Sequence, residues 1–329
     1  MDFAGQAGAW IFARPRSTYE GASMTRQIGF LGLGQMGKPM ALNLVKAGFR
    51  VLTCPHRREA PVEELVAAGA IRKATPAEVA AEAEIVVLCL PDPPAVQDLL
   101  AAPDGLLAGL RPGTVVVDCG TSGLAVTRQA ERAAAEKGAA WLDAPISGGV
   151  WGARAGTLTI MVGGDAAALE RARPVLEAMG ERIVHVGASG NGQVTKLVNN
   201  LMACINTATV GEAFSLGVKA GIPVEALHEV VSHSSGSNWV LENAAPRTIF
   251  AGNYQPGGRL RTMTKDLLLV EEIAKDLRVP LFLGSLVTQL HQTMMVKGHG
   301  DDDAGIVAHF YEELLGLSLA SPAFEGQGE

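Results

Sequence analysis

The sequence predicts an α/β protein in which a doubly wound sheet domain is followed by an all-α domain, the two being joined by one long helix. Two observations predict this order. Short apolar runs alternate with helical patterns from residue 28 to residue 186, and the strand pattern stops after Gly192. Because strands that alternate with helices build parallel sheets covered on both faces, we expect such a sheet in the first half. A length of 329 residues suits about two domains.

The first half supplies the strands. An uninterrupted apolar run from Ile85 to Leu90, closed by Pro91, is typical of a parallel strand that is buried on both faces. Shorter runs predict further strands at 28–31, 51–53, 114–118, 139–142, 157–162 and 183–186. Helical spacing of apolar residues predicts helices at 38–47, 61–68, 76–83, 124–137 and 166–179.

The second half is predicted to be helical. A pattern free of proline runs from residue 193 to residue 220, and about 28 residues in a helix span roughly 40 Å. Further helices are predicted at 224–231, 262–277, 281–296 and 303–314. The Gly/Ser/Ala-rich residues 317–329 are expected to form a flexible tail, and residues 1–26 a disordered extension.

Composition and charge restrict the class of protein. Apolar residues make up 48% of the chain and charged residues 19%, a balance that suits packed cores. The net charge of −7 argues against binding to nucleic acid, which needs clustered Lys and Arg. We find no run of about 18 uncharged apolar residues and no apolar stretch of signal-peptide length near the start. We therefore expect a soluble, cytoplasmic protein that does not enter a membrane.

The cysteines and histidines do not indicate metal chemistry. Cys54, Cys89, Cys119 and Cys204 form neither a CxxC motif nor a Cys/His cluster, and the seven histidines lack metal-ligand spacing. The four thiols are expected to be small buried side chains in a reducing compartment. No GxSxG pattern indicates a serine hydrolase.

A glycine-rich segment lies between the first predicted strand and the first predicted helix. It reads Gly32-Leu33-Gly34-Gln35-Met36-Gly37, a GxGxxG motif in the context that dinucleotide binding requires. The first glycine permits a tight turn, the second admits the pyrophosphate, and the third allows close packing of helix and strand. We therefore predict a Rossmann-type NAD(P)-binding domain at 27–190, with these six residues at the cofactor. The all-helical domain is expected at 191–316.

The end of the second predicted strand bears on the choice of cofactor. An Asp or Glu about 20 residues after the glycine loop would bind the ribose 2′-hydroxyl of NAD. Here the chain has no acid at that place and continues with His56, Arg57 and Arg58. These cations suit the 2′-phosphate, so NADP is expected in preference to NAD. A solvated basic loop is the alternative interpretation.

Two further segments carry polar side chains that could contact a substrate. Lys196, Asn199 and Asn200 are three and four residues apart near the start of the long helix, which places them on one face. Ser147, Gly148 and Gly149 follow the predicted strand 139–142, where exposed N–H groups could hold a carboxylate. The alternatives are a solvated helix face and an ordinary glycine-rich turn.

Taken together, these motifs resemble the β-hydroxyacid dehydrogenases, which include 3-hydroxyisobutyrate dehydrogenases, tartronate semialdehyde reductases and glyoxylate/succinic semialdehyde reductases. The resemblance covers about residues 28–314. It rests on the glycine loop, on residues 143–153 with 156–158, on residues 190–200, and on the string Lys265-Asp266-Leu267.

The resemblance implies an NAD(P)-dependent oxidoreductase that interconverts a small 3-hydroxy acid and its semialdehyde or keto form. It implies that Lys196 is the general acid/base and that Asn200 orients the substrate. It places Ser147, Gly148 and Gly149 at the substrate. We expect Asn199 and Asp266 to lie beside them. The residues that it places near the nicotinamide half of the cofactor are Leu90, Pro91, Thr121 and Lys265. It also implies a homodimer or homotetramer, with the helical half supplying the interface.

The chain departs from the family pattern at two glycines. Gly120 stands where an Asp-x-Ser-Thr loop has its serine, and Gly258 stands where an aromatic residue is common. The first change is expected to remove one hydrogen bond, and the second to enlarge the pocket. Arg259 and Arg261 are candidates for a second anionic group of the substrate, or are simply exposed arginines. Two other functions are an imine reductase, against which Lys196 argues, and a non-catalytic NADP-binding protein.

Overall fold

The computed structural model describes residues 26–255 and 257–326. The chain folds into two compact units, the first ending at Lys196 and the second beginning at Leu197. This division falls six residues beyond the predicted domain boundary, inside a helix. The predicted N-terminal extension lies outside the described residues except for Arg26, as do the last three residues of the predicted tail.

The first unit is built on one sheet of nine strands within the described residues. They are β1 (Gln27–Leu31), β2 (Arg50–Thr53), β3 (Ile71–Arg72), β4 (Ile85–Leu88), β5 (Val115–Asp118), β6 (Ala140–Asp143), β7 (Ile146–Ser147), β8 (Leu158–Gly163) and β9 (Gly180–Gly187). Their order is β3-β2-β1-β4-β5-β6-β8-β7, and β9 pairs with β8. The predicted parallel sheet is thus confirmed for β1 to β6.

The sheet is not parallel throughout, because β8 runs antiparallel to β6 and to β7. The two-residue strand β7 and the short strand β3 are missing from the prediction. Only two residues separate β6 from β7, whereas a parallel neighbour needs a crossover of a dozen residues or more. This part of the chain therefore turns back on itself.

Helices cover both faces of the sheet, as predicted. They are α1 (Gly37–Lys46), α2 (Ala60–Ala67), α3 (Pro76–Glu82), α4 (Pro93–Ala101), α5 (Leu106–Gly109), α6 (Gly123–Glu136), α7 (Gly149–Ala155) and α8 (Ala166–Glu177). Alternate residues of β4 enter opposite cores: Ile85 and Val87 pack in one hydrophobic cluster, and Val86 and Leu88 pack in the other. Burial on both faces explains why β4 reads as a continuous apolar run.

The second unit is helical. Its elements are the greater part of α9 (Asn191–Lys219), then α10 (Val224–Ser232), α11 (Leu260–Leu277), α12 (Phe282–Val296) and α13 (His309–Leu315), with shorter π or 3₁₀ segments between them. An isolated bridge between Arg259 and Asp303 is its one β pairing in the described residues. The predicted helix 303–314 is divided, because Asp303 caps a 3₁₀ segment, Ala304–Ala308, that precedes α13.

The predicted flexible tail packs against the helical unit instead. Leu319 is fully buried and its N–H donates to the Glu312 carboxylate at 2.6 Å. The buried ring of Phe324 lies 5.2 Å from the ring centroids of both Phe250 and His228. Burial of two apolar side chains thus holds a segment whose composition resembles that of a loop.

α9 is the one described helix that is long and apolar enough to cross a membrane. Core helices of proteins that never enter a bilayer satisfy the same criterion, so length and composition alone carry little weight. α9 also carries the charged residues Lys196 and Glu212 and the buried amides of Gln193 and Asn200. These polar groups suit a helix packed in protein.

Candidate active site

The glycine loop after β1 has the geometry that its motif predicts. Gly32 has φ +102°, and a Cβ atom there would lie 2.3 Å from the carbonyl oxygen of Cys89. At Gly37, a Cβ atom would lie 1.9 Å from the carbonyl oxygen of Gly32. At Gly34, by contrast, a Cβ atom would meet no described atom within 4 Å. Two glycines therefore serve close backbone packing, and the middle one borders open space.

The loop lies at the switch point of the sheet. β1 is flanked by β2 on one side and by β4 on the other, so connections leave in opposite directions from this place. In open α/β sheets, ligands bind outside the carboxyl ends of the strands at such a point. The predicted residues Leu90, Pro91 and Thr121 follow β4 and β5 at this same edge. α1 begins here too, and its N-cap residue Met36 makes no side-chain cap.

The basic segment after β2 is exposed. His56, Arg57 and Arg58 follow the carboxyl end of the strand, on the same edge as the glycine loop. The first carboxylate after the strand belongs to Glu59, which pairs with Arg72 at 2.8 Å. The exposed cations thus come before any acid of that segment along the chain.

Three cysteines follow strand ends at this edge. Cys54, Cys89 and Cys119 come directly after β2, β4 and β5. Burial raises the pKa of the Cys54 thiol to about 11 and that of Cys89 to about 12, and it also raises the pKa of Cys119. Thiols that remain protonated are poor nucleophiles. The described residues also contain no group of three His, Cys, Asp or Glu side chains able to hold a metal ion.

The Ser147-Gly148-Gly149 segment is more ordered than a simple turn. Ser147 belongs to β7 and pairs with Thr159 of β8. Gly148 has φ +127° and Gly149 has φ +60°, so both occupy backbone conformations that favour glycine. A Cβ atom at Gly149 would meet nothing within 4 Å. The expected loop is therefore a strand end followed by two glycines of positive φ that lead into α7.

The first turn of α9 is held by a buried acid and carries a buried amide, both beyond the site residues that the sequence predicts. Asp143, at the end of β6, accepts from the N–H groups of Gly190 and Gln193 at 2.8 and 3.0 Å. Burial raises the pKa of the Asp143 carboxyl group, and these N–H donors oppose that rise in part. The fully buried Gln193 side chain reaches back to the loop after β5. The only signal in the sequence that points to Gln193 is its position three residues before Lys196.

The second unit brings four predicted residues together. The buried Asn200 donates from Nδ2 to Asp266 Oδ2 at 2.6 Å, and its Oδ1 accepts from Asn199 Nδ2 at 3.0 Å. Lys265 Nζ lies 3.0 Å from Asp266 Oδ1. The half-buried Lys196 precedes Asn200 by four residues on α9, the spacing of neighbours on one helix face.

The arginines considered for a second anion are already engaged. Arg259 and Arg261 contact the two oxygens of Asp301 at 3.0 and 2.6 Å. Nearby, the N–H group of Gly258 donates to Asp303, and a Cβ atom at Gly258 would meet nothing within 4 Å. A Cβ atom at the exposed Gly258 would thus have room, and one carboxylate offsets part of the charge of the two arginines.

Comparison with known proteins covers both units. A family model described as the NAD binding domain of 6-phosphogluconate dehydrogenase matches residues 27–187. A second model, described as NAD-binding of NADP-dependent 3-hydroxyisobutyrate dehydrogenase, matches residues 190–311. The first match ends and the second begins just before α9, close to the predicted change of domain at residues 190 and 191.

Individual relatives agree with these models. An NAD-dependent L-serine dehydrogenase of Pseudomonas aeruginosa is 41% identical over 297 residues, which cover 88% of this chain and 99% of the relative. A 3-hydroxyisobutyrate dehydrogenase of the same organism is 43% identical over 269 residues, covering 80% of this chain and 90% of the relative.

Solved structures of both enzyme classes that the sequence left open match this chain, the imine reductases more distantly. The 3-hydroxyisobutyrate dehydrogenase of Mycobacterium tuberculosis with L-serine matches with a TM-score of 0.81 at 34% identity, over 87% of this chain and 99% of that chain. An imine reductase from Pseudomonas sp. covers 86% of this chain and 98% of its own with a TM-score of 0.58 at 21% identity. At that identity the likeness concerns the fold alone.

Proposed function

The chain belongs to the β-hydroxyacid dehydrogenase family, and we propose that it interconverts a small 3-hydroxy acid and the corresponding semialdehyde or keto acid. Like its relatives, it is an NAD(P)-dependent dehydrogenase acting on a CH–OH group. The observation that carries the assignment of residues is on α9. There Lys196 is followed one turn later by Asn200, whose amide is held by Asp266.

The residues present fit a dinucleotide cofactor. Gly34 borders open space, and α1 begins without a side-chain cap, so backbone N–H groups of its first turn suit a pyrophosphate. We assign this role to the loop from Gly32 to Gly37. When bound, the cofactor supplies or accepts the hydride. His56, Arg57 and Arg58 make NADP the preferred cofactor, with NAD as the alternative.

Lys196 moves the proton. In reduction its ammonium group donates a proton to the carbonyl oxygen of the substrate, and in oxidation the neutral amine accepts the hydroxyl proton. Positioned proton transfer of this kind is typically worth about 10² to 10⁴ in rate. Asp266 holds the Asn200 amide in one orientation, and Asn199 donates to the same amide, so both act on the substrate through Asn200.

The remaining assignments concern the ends of the reactants. We assign Ser147, Gly148 and Gly149 to the substrate carboxylate, because both glycines are exposed and their positive φ angles suit a backbone turn whose N–H groups bind an anion. The residues assigned to the nicotinamide half of the cofactor are Leu90, Pro91, Thr121 and Lys265. Since Asp301 contacts both Arg259 and Arg261, a substrate with a single carboxylate is favoured.

A lysine replacement tests the function. Lys196→Ala should lower kcat by at least about 100-fold, because the proton donor is lost, while NADPH still binds. Lys137→Ala, at an exposed lysine of the same unit, is the matched control. The assay follows oxidation of NADPH and NADH with glyoxylate and with succinic, tartronate and methylmalonate semialdehydes, plus a cyclic imine. Activity of Lys196→Ala near that of the wild type contradicts the assignment.

The same panel separates the competing functions. Turnover of the imine alone indicates an imine reductase. No turnover at all, with NADPH bound, indicates a non-catalytic NADP-binding protein, for which Gly120 and Gly258 are the motivating departures from the family pattern.

We also propose a homodimer or homotetramer that works in the cytoplasm. Helices of the second unit expose large apolar side chains of the kind that subunit interfaces cover, among them Leu277, Phe282, Leu283 and Leu286. All four cysteines lie in the part of the chain that the structure describes, and none of them forms a disulfide, which suits a reducing compartment. Light scattering coupled to size exclusion tests the assembly, and a monomer at micromolar concentration contradicts it.

A further inference from the structure

The first turn of α9 is held in two ways, by the side chain of Asp143 and by direct packing on the sheet. The Asp143 carboxylate, from the end of β6, accepts from the N–H groups of Gly190 and Gln193 and so caps the helix from a distance. A Cβ atom at Gly192 would lie 2.5 Å from the carbonyl oxygens of Asp143 and Met161, so the backbone of the helix also packs directly on the sheet. The start of the helix that carries Lys196 therefore cannot shift without breaking buried contacts.

Gln193 links this turn to the loop between β5 and α6. Its Oε1 accepts at 3.0 Å from the N–H group of Ser122, the N-cap residue of α6, and at 3.2 Å from that of Gly123, the first residue of α6. Its Nε2 donates to the carbonyl oxygen of Gly120 at 3.0 Å. The side chain is fully buried. One amide thus caps α6, for which Ser122 makes no cap of its own, and also fixes the peptide group of Gly120.

The loop has little freedom apart from these bonds. Asp118 accepts from the Gly120 N–H group at 2.9 Å and from the Ser122 hydroxyl group at 2.7 Å. A Cβ atom at Gly120 would lie 2.9 Å from the carbonyl oxygen of Leu90, so glycine allows this loop to approach the loop after β4. The segment that carries Thr121 is therefore clamped from both sides, by Asp118 and by Gln193.

We propose that Gln193 is a positioning residue for the reaction, because it fixes Lys196 relative to the loop that carries Thr121. This inference rests on the proposed function. Gln193 and Lys196 are three residues apart, so their side chains leave α9 about 60° apart. Holding the Gln193 side chain on Gly120 and on α6 therefore sets the rotation of the first turn, and with it the direction in which the Lys196 side chain leaves the helix. A displacement of about 1 Å in such an arrangement can cost roughly 100-fold in rate.

The chemistry of an amide explains why glutamine suits this place. Two of its partners are donors and the third is an acceptor. A carboxylate in the same position would accept from Ser122 and Gly123 but would place a second oxygen against the Gly120 carbonyl oxygen. When protonated, the same carboxyl group would donate to that oxygen and restore the original pattern. The Gln193→Glu variant is therefore expected to respond to pH.

The experiment compares Gln193→Ala, Gln193→Glu and Lys196→Ala in the full chain, with Gln97→Ala, at an exposed glutamine of the same unit, as control. Gln193→Ala should lower kcat at least about tenfold, while the KM for the hydroxy acid and the Kd for NADPH change less than about threefold. Gln193→Glu should lose as much at pH 9, and the ratio of its kcat to that of the wild type should rise at least about threefold at pH 6.

Two results overturn the proposal. One is a kcat of Gln193→Ala within about twofold of the wild type. The other is a parallel fall of kcat, substrate affinity, cofactor affinity and thermal midpoint, with no recovery of Gln193→Glu at low pH, which indicates a purely structural role. If Gln193→Ala does not fold, the pH response of Gln193→Glu decides. An inactive Lys196→Ala beside an active Gln193→Ala leaves the proposed function standing, whereas an active Lys196→Ala overturns both.

Discussion

His291 should make the stability of this protein sensitive to mild acid. It lies on α12, fully buried, and its Nδ1–H donates to the Val287 carbonyl oxygen at 3.0 Å. Its Nε2 has no hydrogen-bond partner among the described residues. Burial lowers the pKa of His291 from 6.5 to about 4, because the charged imidazolium would lose its hydration.

The sign of the effect follows from proton linkage. Above pH 6.5 the imidazole is neutral in both the folded and the unfolded chain, and the residue costs no stability. Between pH 6.5 and pH 4 the unfolded chain binds a proton that the folded chain excludes, so the free energy of unfolding falls as the pH falls. At pH 5 the loss amounts to about 2 kcal/mol, and below pH 4 it approaches about 3 kcal/mol.

Replacing the histidine isolates this contribution. His291→Leu introduces an apolar side chain of similar volume, so its stability at pH 8 should stay within about 1.5 kcal/mol of that of the wild type. Urea denaturation at pH 8 and at pH 5, at one protein concentration, gives the loss on acidification for each protein. That loss should be about 2 kcal/mol smaller in His291→Leu than in the wild type.

An exposed histidine supplies the control. His233→Leu, also in the second unit, should retain the full acid-dependent loss of the wild type. If His291→Leu and the wild type lose equal stability between pH 8 and pH 5, the argument from burial is refuted. The argument is also refuted if His233→Leu abolishes the loss of stability between pH 8 and pH 5.

Three further predictions concern cofactor and substrate. Gly34→Ala should leave the thermal midpoint unchanged, since its Cβ atom meets nothing within 4 Å, but should raise the Kd for NADPH at least about tenfold. Fluorescence titration measures this Kd, and an unchanged affinity contradicts the assignment of the loop to the pyrophosphate. Replacing Arg57 and Arg58 together by Ala should raise the Kd for NADPH at least about tenfold and the Kd for NADH much less, because charge-assisted bonds to a phosphate are lost. Equal effects on the two cofactors contradict the preference for NADP. Asn200→Ala removes the amide that binds Asp266 and should raise the KM for the hydroxy acid at least about tenfold without altering NADPH affinity. An unchanged KM in steady-state assays refutes the role of Asn200 at the substrate.

Local patterns predicted the framework well where one physical rule dominates. β4 shows this, since a strand buried on both faces needs apolar residues at every position, and Ile85–Leu88 has them. The glycine loop shows it too, because Gly32 and Gly37 stand where a Cβ atom would meet a backbone oxygen. α4 is absent from the prediction although it has a start signal: Asp92 caps it through the Ala95 N–H group, and Pro93 is its first residue.

Other elements resist prediction because tertiary packing overrides local preference. α7 begins with glycine and is seven residues long, so its composition indicates a turn. The tail after Ser318 has the composition of a flexible segment, but Leu319 and Phe324 bury their side chains on the helical unit. In both cases packing against distant residues supplies the stability that the local sequence lacks.

The sequence by itself determined the alternation of strands and helices, the glycine loop, the basic segment after β2 and the spacing of Lys196 and Asn200, because each depends on residues that are neighbours in the chain. Only the tertiary structure decided what holds these groups. Asn200 meets Asp266 across 66 residues, and Gln193 meets Gly120 across 73. Hydrogen bonds over such separations depend on where whole elements pack. A periodic pattern of apolar residues specifies the face that a helix buries, but it does not specify which polar atoms the side-chain amides of that helix will contact.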